Sequence, residues 1–112
     1  MLKVDSKMLV DSFIYEEYQG FDDVWQTESF EEPVTIEKVR IDRTTVYSRD
    51  SNQSKIIAES VIFCFASATS PFKDFKEESR VTFDGKQFII KKVITNKEPF
   101  ADKVWSYELE VL

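Results

Sequence analysis

Arg80-Val81-Thr82-Phe83-Asp84-Gly85-Lys86-Gln87-Phe88-Ile89-Ile90 is the stretch that decides the fold class. Two apolar runs flank an Asp-Gly pair. Both central positions of a type I′ turn need φ > 0, which Asp tolerates and Gly favours, so the pattern predicts a tight β-hairpin. Downstream, Trp105, Tyr107, Leu109 and Val111 alternate with Ser106, Glu108 and Glu110. A repeat of two residues places alternate side chains on opposite faces, which predicts an antiparallel strand with one wet face. Upstream, Val34 and Ile36 have one parity and Val39 and Ile41 the other. A β-bulge near Glu37-Lys38 would bring all four to one side of a strand over 34–42.

Residues 58–66 are apolar on both parities, with Val61, Phe63 and Phe65 on one and Ile62 and Cys64 on the other. That pattern predicts a central strand covered on both faces, or one at an assembly interface. Residues 11–18 read as another strand, Phe13 and Tyr15 facing one way and Ile14, Glu16 and Tyr18 the other. Residues 20–33 read as an acidic, aromatic loop, and 43–55 as a long polar loop. Ser70-Pro71 opens a possible helical turn through Phe75, because Pro suits a first helical position. Period 2 dominates period 3.6 throughout. The expectation is an all-β chain: a small antiparallel β-barrel or sandwich of about five to seven strands, with long loops and at most one short helix. Residues 1–112 form one domain, with 1–10 as an N-terminal segment that either frays or orders against a neighbour.

Composition removes several classes of function. The chain has 112 residues and no His, which excludes Ser/His/Asp and Cys/His catalysis and His-ligated zinc. A single cysteine, Cys64, excludes an internal disulfide and a cysteine-cluster metal site, and reads as a small buried hydrophobe. Two glycines cannot build a dinucleotide fingerprint or a phosphate-cradling loop. With 21 Asp+Glu against 15 Lys+Arg, the net charge of -6 argues against a phosphate-backbone binder. No apolar run approaches the roughly 18 residues of a membrane helix, and the first residues lack a signal-peptide core. The expectation is a non-enzymatic protein without cofactor, made in a reducing cytoplasm.

Asp22, Asp23, Glu28, Glu31 and Glu32 could offer oxygen ligands to a divalent cation, but the spacing fits no calcium loop, and a solvated acidic segment is the reading adopted. Glu16/Glu17, Glu31/Glu32 and Glu77/Glu78 are adjacent pairs whose members point to opposite faces of a strand, so they cannot share acid–base work. Tyr15, Tyr18, Phe21 and Trp25 sit among acids rather than in a basic groove, which favours core or protein-interface use over stacking on single-stranded nucleic acid. With Phe63 of the two-sided strand they are the interface candidates.

The run Phe13-Ile14-Tyr15-Glu16-Glu17-Tyr18-Gln19-Gly20, then Asp22-Asp23, Pro33-Val34-Thr35-Ile36 and Val39-Arg40-Ile41-Asp42-Arg43, resembles the start of the minor capsid proteins of tailed bacteriophages and prophages of Gram-positive hosts. Residues 81–90 and Trp105-Ser106-Tyr107-Glu108-Leu109-Glu110-Val111 resemble the closing strands of head-closure proteins. The likeness spans about 11–112 and lies in order and spacing, not in a chemical signature. Relatives often carry His near Trp105 or Ser106, where this chain has none.

The resemblance implies a structural virion protein: a head-closure component, or stopper, of the head–tail connector. Copies would form a homo-oligomeric ring below the portal and adaptor, hold packaged DNA without reading its sequence, and dock the tail, with no membrane involved. The place implied is the virion, and the host cytoplasm during assembly. By position, the loop carrying Arg43, Arg49, Asp50 and Lys55 is the candidate for the one that reaches the central channel. Alternatives within the same machine are an adaptor, which would be largely helical, and a tail terminator, which would need clear helices. The alternative from another class is a β-barrel binding module for a peptide, glycan or single strand.

Overall fold

In the computed structural model, which describes residues 6–48 and 55–112, a 3₁₀ turn at Ser6–Met8 leads into ten strands. They are β1 (Asp11–Glu16), β2 (Tyr18–Asp22), β3 (Thr27–Phe30), β4 (Val34–Asp42), β5 (Val46–Tyr47), β6 (Ile56–Ala58), β7 (Ser60–Phe65), β8 (Arg80–Phe83), β9 (Lys86–Lys97) and β10 (Val104–Val111). Six of them close an antiparallel barrel in the order β1-β4-β7-β10-β9-β8. The other four form two short hairpins, β2–β3 and β5–β6.

The Asp-Gly hairpin forms where the sequence places it. Asp84 and Gly85 have φ of 52° and 70°, and Phe83 pairs with Lys86. The bulge in β4 is also present. Lys38 has φ 61°, and the β1 register skips from Ser12↔Glu37 to Asp11↔Val39. As a result Ile36, Val39 and Ile41 all turn inward and Val34 packs at the edge of the core.

β9 is shared between two partners. Residues 86–89 pair with β8, while 90–97 pair with β10 after a register shift between Glu110 and Val111. This bend lets six strands close. Ile36, Val39, Ile62, Val81, Ile90, Leu109 and Val111 have no accessible surface. They fill the interior, so the barrel is a packed core without a lumen.

Four expectations are corrected. The strand over 11–18 ends at Glu16, because the Glu17 carbonyl accepts from the Glu31 amide (2.8 Å) and Tyr18 starts a new strand. Residues 20–33 are not an open loop. They carry most of a hairpin, whose arms hold four cross-strand pairs from Tyr18↔Phe30 to Asp22↔Thr27. Residues 70–75 form no helical turn. The Ser70 amide and carbonyl both pair with Glu37 (3.1 and 2.9 Å), which keeps the chain extended there. Finally, the β10 alternation fails at Trp105. A register shift between Val104 and Ser106 buries Ser106 and leaves Trp105 against Phe65, with ring centroids 5.7 Å apart.

The segment between β7 and β8 stoppers one barrel end with aromatic rings. Phe75 lies 5.1 Å from Tyr15, 6.0 Å from Phe13 and 5.8 Å from Tyr107, and Phe72 stacks on Tyr107 at 5.3 Å. Tyr15 Oη accepts from the Lys76 amide (3.0 Å), and Ser79 Oγ accepts from the Tyr18 amide (3.0 Å). These bonds tie the cap to the root of the β2–β3 hairpin.

Candidate functional site

The β2–β3 hairpin stands on the barrel rather than in it. Gly20 has φ 108°, a conformation L side chains rarely adopt, and it lies at a register shift between Tyr18 and Gly20 that bends β2. The root is clamped. The Arg80 guanidinium sits 3.8 Å from the Phe30 ring centroid and donates to Glu16 Oε2 (2.9 Å), and Tyr18 meets Phe30 edge-on at 5.6 Å. A cation over a ring face with one carboxylate partner fixes both the strand and the planar guanidinium.

The tip is held by its own acid. Asp22 Oδ1 accepts from the Val24 and Trp25 amides at 2.9 and 3.3 Å, and Gln26 (φ 56°) donates from Nε2 to the Asp23 carbonyl at 2.7 Å. This turn leaves Val24 and Trp25 at 82% and 75% exposure, with Phe21 at 51%. The tip thus presents three exposed apolar side chains among carboxylates.

The interface candidates from the sequence therefore separate. Phe21 and Trp25 are exposed at the tip, Tyr18 is half-buried at the root, and Phe63 is half-buried on β7 opposite Glu108. Tyr15 is corrected: at 1% exposure, beneath Phe75, it is a core residue and cannot anchor a partner. Burial raises its hydroxyl pKa. Phe30, one of the aromatics of the acidic 20–33 segment, lies at the root of the hairpin. Val24 is the residue the sequence candidates lack, and its place beside Trp25 in the acidic run was the sign available.

Arg43, the first of the channel-loop candidates, lies by the opposite end. Arg43 donates from Nε and Nη2 to the two oxygens of Asp84 (2.6 and 3.1 Å) and from Nη2 to Asp11 Oδ1 (3.2 Å). The hydrogen bonds it donates lower the Asp84 pKa and raise that of the guanidinium, with the opposite charges adding to both. Arg43 is thus a tie between β4, β1 and the Asp-Gly turn. Beyond it, residues 43–55 are not wholly unstructured, since β5 pairs with β6 and the Ser48 amide donates to the Lys55 carbonyl (2.6 Å). Lys55 is exposed at this hairpin, while Arg49 and Asp50 lie outside the described residues.

An open cleft of about 350 Å³ lies beside Arg43, walled by Glu59, Phe83, Asp84, Lys86 and Phe88. Its charges are internally matched, Lys86 to Glu59 at 3.1 Å and Arg43 to Asp84. Among the described residues no cluster of acids or thiols could hold a metal ion, and no helix is long and apolar enough to cross a membrane.

No curated protein and no solved structure matches the chain. A family model described as "Minor capsid protein" matches residues 5–111, which takes in every barrel strand and both hairpins. The chain belongs to the minor capsid protein family and is a structural protein of the phage virion.

Proposed function

We propose that this protein is the head-closure component of a head–tail connector, in which a ring of copies retains packaged DNA and presents a docking surface to the tail, without catalysis. The observation that carries the reading is the Asp22-capped tip, with Val24 and Trp25 held out from a closed, filled barrel. A subunit of this form offers anchors and edges for assembly. Any passage for DNA would have to run between copies or along a shared axis. The part of the chain that carries the paired strands β5 and β6 is the element proposed to reach that passage.

The test is deletion of the gene in the parent phage, with electron microscopy and a DNA-retention assay. Emptied heads separate from complete free tails support head closure. Tails of uncontrolled length would instead make this a tail terminator, and normal virions that keep their DNA would remove it from the connector. Deleting residues 50–53 should leave the barrel folded while heads lose DNA.

A further inference from the structure

Charge is segregated along this chain. Between residues 17 and 32 lie Glu17, Asp22, Asp23, Glu28, Glu31 and Glu32, with no Lys or Arg. With 21 acids and 15 bases in the chain, these six account for the whole net charge of -6. Conversely β9 carries Lys86, Lys91, Lys92 and Lys97 and no acid. The hairpin acids Asp22, Asp23, Glu28, Glu31 and Glu32 form no ion pair among the described residues, and neither does Lys92. Lys91 reaches Glu78 only at 3.6 Å.

The two regions also carry open edges. Residues 91–97 of β9 pair with β10 on one side, and among the described residues no strand pairs on the other. Among the described residues, β3 pairs only with β2. Lysines on an open edge repel most strands that would add to it. An acidic strand is the exception, because opposite charges facing each other across a pair are favourable. β3, with Glu28 in its centre and Asp22 and Asp23 across the turn, is the acidic strand with a free edge.

From this we infer that β3 of one copy docks along the 91–97 edge of β9 in the next copy, with the Phe21–Val24–Trp25 tip seated against that neighbour. The two patches differ, so the contact is head-to-tail and repeats around a ring if the rotation closes. The inference deepens the proposed function, since it names the surface by which ring subunits meet.

The test complements the gene-deleted phage with full-length variants and counts copies per particle. Lys91→Glu with Lys92→Glu, or Asp23→Lys with Glu28→Lys, should each lower incorporation about tenfold or more through like-charge contact. All four changes together should restore it to within about threefold, since the pairing is re-formed with reversed sign. Equal thermal melting of all variants and the parent shows that folding is not the cause. Unchanged incorporation in either double variant overturns the inference. So does loss in both with no rescue by the quadruple variant, which would assign the hairpin to a different virion protein. DNA retention is scored in the same particles. Rescue of copy number in a phage whose heads keep DNA without this gene would overturn head closure and leave the contact standing.

Discussion

At one end of the barrel Phe72 and Phe75 press on Tyr15 and Tyr107, and each buried hydroxyl has a partner; at the other, Arg43 gathers Asp84 and Asp11 beside an open cleft. Both ends join distant parts of the chain, but by different physics. Aromatic closure removes large apolar area from water, a contribution that salt does not screen. Ionic closure fixes geometry while staying wet, where a pair contributes little. The difference teaches which end holds the barrel shut and which can be rearranged cheaply.

The sharpest way to break the contrast is Phe75→Ala. It should cost about 3–5 kcal/mol in urea unfolding, as for other buried Phe truncations. A loss below about 1 kcal/mol would mean the ring is no stopper. Next, Tyr15→Phe strips the Lys76 amide of its acceptor and the Ser79 hydroxyl of its 3.3 Å partner, a loss of about 1–3 kcal/mol by the same measurement.

Tyr107 adds a pH signature. Burial and the Asp74 carboxylate, to which it donates at 2.8 Å, push its hydroxyl up to about 12 from 10.0. Its folded pKa is raised, so the stabilisation is complete below pH 10 and disappears as pH climbs from 10 to 12, where only the unfolded chain ionises. The fall is on the order of 2–3 kcal/mol, and Tyr107→Phe should flatten it in urea midpoints taken across that window.

At the wet end the effects shrink. Gly85→Ala meets no atom within 4 Å but must keep φ near 70°, so thermal melting should report about 1 kcal/mol of backbone strain. Arg43→Ala should cost less than about 1 kcal/mol, and the cost should fade in high salt. A larger, salt-insensitive loss would erase the distinction between the ends.

The same contrast explains what could be read in advance. Asp84-Gly85 and the parity slip in 34–42 are local signals, and local patterns determined those elements. The β2–β3 hairpin leaves no mark in the sequence because Thr27 and Ser29 carry no apolar alternation, and its register depends on a bend at Gly20. Tyr15 was open to misreading because residues 13–15 are apolar on both parities. Phe75, far along the chain, decides which face is inside. Arg43 does follow the end of β4, but its tie to Asp84 is invisible in the sequence because that turn is brought close only by barrel closure. The exposure of Phe21 and Trp25 follows from their place next to the charged turn, whereas Phe30 of the same run packs on Tyr18 and Arg80.

Cys64 has a consequence of its own. It points into the barrel from β7, opposite Tyr107, with no accessible surface, and burial pushes its thiol pKa up. Oxidation and disulfide exchange proceed through an accessible thiolate, which this residue does not supply. The subunit's one thiol is therefore shielded from oxidants and from exchange with other thiols. A cysteine engineered onto its surface would be the one thiol that responds to a maleimide label.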